Sequence, residues 1–182
     1  MSDKLEIESS CLVVIDIQGK LAELMHEKEI LFKNVCILIE AANILDIPVV
    51  WCQQVPEALG VTLPRIAELL TDNQPIDKAC FSCCLNQQFT ERLIKLGRNQ
   101  ILITGIETHI CVYQTARDLL GKGYDVTVIA DAVSSRTLRN SHIALSRLQT
   151  EGVNISSTEM ALFELLKTAE HRQFKKIAKL VK

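Results

Sequence analysis

Hydrophobic residues in this chain fall into short continuous runs, and longer stretches of helical spacing separate these runs. The continuous runs are rich in β-branched residues, as is typical of strands covered on both faces of a sheet. They are Cys11–Ile17, Ile47–Cys52, Gln100–Ile106, Asp125–Val133 and Val153–Ser157. Apolar residues recur with the helical period over Leu31–Leu45, Gln87–Leu96, Ile110–Leu120, Asn140–Gln149 and Thr158–Thr168.

This alternation of strand and helix indicates β-α-β units and therefore an α/β fold with a mostly parallel sheet. No linker, internal repeat or low-complexity tract interrupts the pattern, so we predict one domain over residues 1–182. The tail, His171–Lys182, has the pattern of a basic amphipathic helix. It is predicted to lie on the surface or in a subunit interface, with membrane contact as the alternative.

The composition indicates a folded chain without a charged macromolecular partner. Hydrophobic residues make up 48% of the 182 positions and the net charge is −2, so disorder is not expected. The near-neutral balance favours neither nucleic acid nor an anionic membrane as a partner. No apolar run approaches the length of a transmembrane helix, and the polar stretch MSDKLEIESS does not resemble a signal peptide.

The chain has seven cysteines, an odd number. Cys11, Cys36 and Cys52 fall in apolar runs, where cysteine behaves as a small hydrophobic residue. We therefore expect a cytoplasmic protein whose thiols stay reduced. The glycine-rich dinucleotide fingerprint and the Walker motif are absent, since GKGYD lies at the end of a predicted helix. We predict no cofactor.

Three residues could carry chemistry at the carboxyl edge of the sheet, where ligands bind in open α/β folds. Asp16 interrupts an apolar strand near its end, Lys78 follows QPID in a loop, and Cys111 begins the helix after ILITGI. A helix N-terminus and a nearby cation lower the pKa of a thiol, and a carboxylate within reach can accept its proton. N–H groups at the helix start can stabilise an oxyanion. The three residues thus suit nucleophilic attack on a carbonyl.

Their spacing alone leaves simpler structural interpretations open. Cys111 could be a core residue in the first helical turn, and Asp16 could cap a neighbouring loop. Lys78 could be an ordinary surface lysine. Longer motifs around these residues are needed to choose between the two kinds of interpretation.

The motifs LVVIDIQ, DKACFS and GIETHICVYQTARDLLGKGYDVTVIADAVSSR together resemble the isochorismatase-like cysteine hydrolases, which include nicotinamidases and N-carbamoylsarcosine amidohydrolases. The resemblance runs from Leu12 to about Leu166 and depends mainly on the block that begins GIETHIC. It is greatest to short hydrolases of unknown substrate. It implies a three-layer αβα fold with helices on both faces of a mostly parallel sheet of about six strands.

The resemblance also implies a role for individual residues. Asp16 matches the catalytic aspartate of these enzymes, Lys78 the lysine and Cys111 the nucleophile. A non-proline cis peptide would join Ile106 to Glu107 and turn the Glu107 N–H toward that of Cys111, which would form the oxyanion hole. The implied reaction is hydrolysis of an amide-type carbonyl through a thioester intermediate.

Differences from the known members of this family restrict the substrates that we expect. Nicotinamidases of this family commonly hold a metal through an Asp-x-His element after the second strand, but the matching stretch WCQQVPEALG has no histidine. We therefore predict no catalytic metal and a substrate other than nicotinamide. Isochorismatases that cleave a vinyl ether often lack the cysteine, so Cys111 favours the amide hydrolases.

Two other functions remain open at this point. Cys80, Cys83 and Cys84 could form a redox or zinc element, although no partner pair for a complete zinc site is evident. The chain could also be a binding or scaffold member of the same fold that has lost its activity.

Candidate substrate contacts lie near the same edge of the sheet. Gln18 could orient Asp16 or a substrate, and Gln53 ends the second predicted strand. Phe81 is expected to wall the pocket, and His109 shortly precedes the thiol. The apolar surroundings suggest a small, neutral substrate molecule, and the resemblance implies a homo-oligomer.

Overall fold

A six-stranded sheet forms the centre of the chain, and all of its strands run parallel. The computed structural model describes residues 4–70 and 74–182, so positions 1–3 of the polar stretch considered above lie outside the described residues. The strands are β1 (Ser10–Ile15), β2 (Val49–Gln54), β3 (Ile76–Lys78), β4 (Gln100–Ile106), β5 (Asp125–Ser134) and β6 (Asn154–Ser156). Their order is β3-β2-β1-β4-β5-β6, which confirms the predicted α/β architecture.

Helices cover both faces of this sheet. Each predicted helical stretch corresponds to an observed helix whose bounds agree to within a few residues, whereas the three short helices between Gly19 and Ala67 were not predicted. The helices are α1 (Gly19–Glu23), α2 (Lys28–Ile44), α3 (Pro56–Leu59), α4 (Pro64–Ala67), α5 (Gln87–Leu96), α6 (Tyr113–Gly121), α7 (Leu138–Thr150), α8 (Thr158–Leu166) and α9 (Phe174–Leu180). A 3₁₀ turn at Cys83–Leu85 precedes α5, and a π-helical turn at Thr108–Val112 leads into α6.

The sheet separates two hydrophobic cores because successive strand residues point to opposite faces. On one face Val14 of β1 belongs to a core that includes Phe32 of α2. On the other face Val13 belongs to a core that includes Phe89 of α5. Every residue of β1 is buried, which explains why the strands have continuous rather than alternating apolar residues.

The C-terminal helix α9 packs on its own chain. Ile177 is fully buried in the core that contains α2, and the ring of Phe174 meets that of Phe163 edge to face, with 6.3 Å between centroids. The apolar face of the tail thus packs within the chain and its lysines are exposed, so the helix lies on the surface, as predicted. No helix formed by residues 4–70 or 74–182 has the length and apolar character that crossing a membrane requires.

The strand β3 was not predicted from the sequence. It contains only Ile76, Asp77 and Lys78, so no apolar run marks it. Lys78 was expected to lie in a loop, but it ends an edge strand. Its pairing with β2 fixes the lysine in register opposite Gln54.

The strand order reverses between β1 and β4, because β2 and β3 lie on one side of this pair and β5 and β6 on the other. Such a switch point opens a crevice beyond the carboxyl ends of the two central strands. Asp16 directly follows β1, and the turn that contains Cys111 follows β4. The topology thus brings an acid and a thiol to the crevice.

Candidate active site

Asp16 and Lys78 form a buried ion pair at the carboxyl edge of the sheet. Lys78 Nζ lies 2.7 Å from Asp16 Oδ2, and the two side chains are 0% and 2% exposed, respectively. Asp16 leaves β1 in the left-handed region with φ 55°, which aspartate tolerates better than most residues. Because an unpaired buried charge is costly, each residue needs the other to stay ionised.

The ammonium of Lys78 has no donor left for a ligand. Besides Asp16, it donates to Gln54 Oε1 at 2.6 Å and to the carbonyl oxygens of Cys80 and Phe81, both at 3.3 Å. These oxygens use all of the protons that an ammonium can donate. The lysine is therefore a fixed positive charge behind Asp16 and not an open anion site.

The two glutamines that end β2 point in opposite directions. Gln54 faces Lys78, whereas the Gln53 side chain donates to Asp77 Oδ1 at 3.0 Å and accepts from the Thr62 N–H at 2.7 Å. The structure does not support the predicted substrate contact of Gln53, because its amide is occupied away from the site. Strand alternation makes the two residues face opposite sides, and pairing with the lysine strand selects Gln54.

Cys111 lies in the π-helical turn before α6 and is 7% exposed. Asp16 Oδ1 is buried without a conventional hydrogen-bond partner in the described part of the chain. The thiol is the natural donor for this oxygen, since a contact between the two side chains acts on the pKa of both groups. The acid and the thiol therefore meet in the crevice.

The pKa of the Cys111 thiol is raised, and the predicted lowering is wrong. Burial raises it most, the charge of Asp16 raises it further, and Lys78 opposes both effects. Burial also raises the pKa of Asp16, against the opposing effects of Lys78 and Cys111. For Lys78, burial alone would lower the pKa, but the charges of Asp16, Cys83 and Cys111 outweigh it and raise the pKa. The thiol at rest is therefore neutral, Lys78 is an ammonium, and Asp16 binds a proton more tightly than an ordinary carboxylate does.

The backbone that leads from β4 to Cys111 requires a glycine at position 105. Gly105 has φ 128°, and a Cβ at this position would lie 2.1 Å from the carbonyl oxygen of Ile15 on the paired strand. No side chain fits there, because the obstacle is the backbone of β1. One residue further on, the peptide bond between Ile106 and Glu107 is cis, at the position that the family resemblance implies.

The polar side chains on either side of this turn are held away from the thiol. The Glu107 carboxylate accepts from the backbone N–H of Arg136 at 3.0 Å and from its Nε at 3.1 Å. The ring of His109 contacts Ser135 Oγ at 2.9 Å and Asn140 Nδ2 at 3.4 Å, and it does not line the cavity beside the thiol. The structure therefore does not support the predicted substrate contact of His109.

A cavity of about 150 Å³ opens beside the thiol. Its polar lining residues are Asp16, Gln18, Gln54, Glu107 and Cys111. Its apolar lining residues are Leu21, Leu59, Phe81, Ile106 and Ile110. Most of the predicted site residues thus converge on one small cavity, with the lysine directly behind the acid.

Gln18 and Phe81 both line this cavity, as predicted, but in different ways. The Gln18 amide donates to the carbonyl oxygens of Gln54 at 2.9 Å and Gly60 at 2.6 Å, and it accepts from the Gln54 N–H at 2.7 Å. It fixes the loop after β2 and has little capacity left for a substrate. Phe81 is 55% exposed and stands at the cavity mouth.

Cys83 and Cys84 have the surroundings of packing residues, whereas Cys80 is half-buried. All seven cysteines are free, and Cys83 and Cys84 are buried beside the start of α5. Their backbone N–H groups donate to Thr115 Oγ1 at 3.0 Å and Ser82 Oγ at 3.3 Å. Within residues 4–70 and 74–182, no group of three or more His, Cys, Asp or Glu side chains is suited to a metal ion.

Comparison with known proteins places the chain in a family. The isochorismatase domain matches residues 10–160. A secreted isochorismatase effector of Phytophthora sojae is 39% identical over 180 residues, which cover 96% of this chain and 85% of that protein. The structure of MAR1 ribonuclease from Caenorhabditis elegans is 36% identical and covers 98% of this chain and 92% of that one, with a TM-score of 0.92.

An octameric hydrolase of unknown specificity from Escherichia coli has the same fold, with a TM-score of 0.92. The match covers 97% of this chain and 88% of that one, and at 22% identity it concerns the fold alone. The domain match extends over most of the chain, and the effector is similar over nearly its whole length. The chain therefore belongs to the isochorismatase family of hydrolases.

Proposed function

We propose that this protein is a cysteine hydrolase that cleaves a small amide, with Cys111 as the nucleophile. The observation that carries the proposal is the buried Asp16–Lys78 ion pair beside the Cys111 thiol in one cavity. A buried ion pair is no better for stability than apolar residues of similar size, so its presence in a cavity with a thiol calls for a chemical explanation.

The reaction begins when Asp16 takes the proton of the Cys111 thiol as the sulfur attacks the amide carbonyl. The N–H groups of Glu107 and Cys111 hold the oxyanion of the tetrahedral intermediate. Protonated Asp16 then gives its proton to the nitrogen, and the C–N bond breaks to release ammonia or an amine. A thioester remains on Cys111. Asp16 next takes a proton from water as the water oxygen attacks the thioester. The C–S bond then breaks, the acid product leaves, and Asp16 returns the proton to the Cys111 sulfur.

The raised pKa values fit this sequence of proton transfers. Transfer from the thiol to Asp16 leaves the net charge of the buried site unchanged, because the positive charge of Lys78 faces one negative charge before and after. The proton transfer therefore depends on the difference between the pKa values of Asp16 and Cys111, which are both raised by burial. The resting protein does not need to hold a thiolate. Lys78 keeps either anion stable.

The similarity to a nematode ribonuclease raises RNA cleavage as a rival activity. Affinity for RNA comes largely from Lys and Arg contacts to phosphates. No residue that lines the cavity carries a positive charge, and the chain has a net charge of −2. These observations favour a small substrate. Degradation of labelled RNA that requires Cys111 would support the rival activity instead.

The experiment is an ammonia-release screen of small amides, carbamoyl compounds and esters. We expect turnover with the wild-type protein and none with Cys111→Ala, whose melting temperature should stay within a few degrees. Cys84→Ala is the matched control, because Cys84 is 8% exposed but does not line the cavity. A thioester adduct on the Cys111 peptide, seen by mass spectrometry, identifies the intermediate. Turnover that survives in Cys111→Ala contradicts covalent catalysis. Absence of turnover on the whole panel favours an inactive scaffold member.

We also propose that the protein is cytoplasmic and forms a homo-oligomer. Seven free cysteines suit a reducing compartment. The octameric state of the E. coli hydrolase motivates the second proposal. Light scattering during size-exclusion chromatography tests it, and a monomer at micromolar concentration contradicts it.

A further inference from the structure

We infer that the substrate is an uncharged amide with a short, apolar acyl group, and that carboxylate-bearing compounds, isochorismate included, are rejected. This inference concerns the same cavity and therefore rests on the proposed function. Two observations carry it: the charges around the cavity and its size.

The ionisable side chains that line the cavity, apart from the thiol, are both acids, Asp16 and Glu107. The nearest cation, Lys78, is fully buried, and its protons are donated to protein oxygens. Arg136 forms an ion pair with Glu107 and is not one of the residues that line the cavity. A carboxylate on the substrate would thus lose water and meet no free positive group, which is strongly unfavourable.

The amides in the lining offer an added carboxylate little compensation. The Gln18 amide nitrogen donates to the carbonyl oxygens of Gln54 and Gly60. The Gln54 side chain accepts from Lys78 and donates to the carbonyl oxygen of Ala79. Three of the four N–H donors of these two side-chain amides are therefore already used, so the wall offers contact area and few polar partners.

The size of the cavity limits the acyl group. A volume of about 150 Å³ is enclosed mainly by Leu21, Leu59, Ile106 and Ile110. An apolar protein cavity of roughly this volume, lined by similar residues, accepts a molecule the size of benzene. The enclosed part of the substrate therefore has about six non-hydrogen atoms.

The charge preference can be measured without turnover, by alkylation of Cys111 with iodoacetamide and with iodoacetate. These reagents have similar size and differ in charge. Rates at the Cys111 peptide are followed by mass spectrometry and divided by the rates with glutathione. We expect the normalised rate of iodoacetamide to exceed that of iodoacetate by more than about tenfold, since repulsion from nearby acids is strong in a partly buried site. Equal normalised rates overturn the inference. Failure of both reagents contradicts activation of the thiol by Asp16, and the charge preference is then decided by the hydrolysis of isovaleramide and malonamate.

A cation at the mouth of the cavity should reduce the preference for iodoacetamide. Phe81→Arg adds a positive charge at a lining residue that is 55% exposed, so the change is compatible with folding. We expect it to raise the iodoacetate rate several-fold and to leave the iodoacetamide rate nearly unchanged. Leu85→Arg is the matched control, since it adds the same charge at a nearby residue that is 72% exposed and outside the lining. An equal gain in both variants means a general electrostatic effect and contradicts the assignment to the cavity.

Hydrolysis supplies the second arm with isovaleramide and malonamate, which have the same number of non-hydrogen atoms. We expect ammonia release from isovaleramide only. Comparable hydrolysis of malonamate overturns the inference while leaving the proposed hydrolase intact. If neither amide is hydrolysed and the alkylation preference holds, the charge selectivity of the cavity stands and the amide hydrolase proposal fails.

Discussion

Lys78 Nζ lies 2.7 Å from Asp16 Oδ2 although 62 positions separate the two residues in the chain. One residue follows β1 and the other ends β3, with β2 between them. The contact therefore exists only when three neighbouring strands are in register. The buried ion pair of the candidate site therefore forms only when the sheet has assembled correctly.

The first prediction concerns the coupling between these two charges. Asp16→Asn or Lys78→Met alone should lower the free energy of unfolding by about 3–5 kcal/mol, because each leaves an unpaired buried charge or forces its neutralisation. The double variant should be clearly more stable than the sum of the single changes predicts. Urea unfolding at neutral pH measures all four proteins. Additive losses would mean that the two charges do not depend on each other.

The second prediction concerns the pH dependence of kcat/KM. The folded pKa of Asp16 is raised, so this base becomes protonated, and activity falls, at a higher pH than the ordinary value of about 3.9. The pKa values of Cys111 and Lys78 are raised as well, so activity should not change as pH passes the ordinary thiol value of about 8.5. Initial rates measured between about pH 4 and about pH 10 test the acid limb and the alkaline limb of the kcat/KM profile. A rise in activity that follows thiol ionisation near pH 8.5 would refute the transfer of the proton to Asp16.

The third prediction concerns Gln54, a positioning residue that acts through Lys78. Gln54→Glu brings a second carboxylate to the ammonium, where the amide oxygen now accepts at 2.6 Å. Competition for the positive charge should raise the pKa of Asp16 and move the acid limb of kcat/KM to higher pH. Gln54→Met removes the hydrogen bond without adding charge, so it should reduce activity with a much smaller movement of the limb. An acid limb at the same pH in both variants would show that Gln54 has only a packing role.

The fourth prediction concerns Gly105. Gly105→Ala puts a methyl group 2.1 Å from a backbone oxygen of β1 at φ 128°, so it should cost at least about 3 kcal/mol or prevent soluble expression. Gly121→Ala is the control, because it has no neighbouring atom within 4 Å and lies at the end of α6. Thermal unfolding compares the two variants. Near-native stability of Gly105→Ala would mean that β1 and β4 can separate locally at low cost.

Much of the fold could be predicted because buried parallel strands leave continuous apolar runs, such as Cys11–Ile17 and Gln100–Ile106. The short edge strand with Lys78 could not, since a strand with two charged residues has no such signature. The meeting of Asp16 and Cys111 was predictable from the rule for strand ends together with the family motifs.

Predictions about individual side chains were less successful, for physical reasons. The pKa of Cys111 was predicted from a helix start and a cation, but burial and the charge of Asp16 act more strongly. Gln53 was predicted as a substrate contact, but Gln54 lines the cavity, because adjacent strand residues face opposite sides and the pairing with Lys78 identifies the side of the site. Such effects depend on depth and register, which a single sequence does not specify.

The strand β3 has three residues and pairs on one side only, with β2. Short edge strands are among the first segments of a protein to open. Release of this strand would withdraw the ammonium from the reaction centre and would expose Ile76 at the edge of one core. We therefore expect heat inactivation to begin below the melting temperature and to reverse on cooling, because opening of one edge strand would separate Lys78 from Asp16.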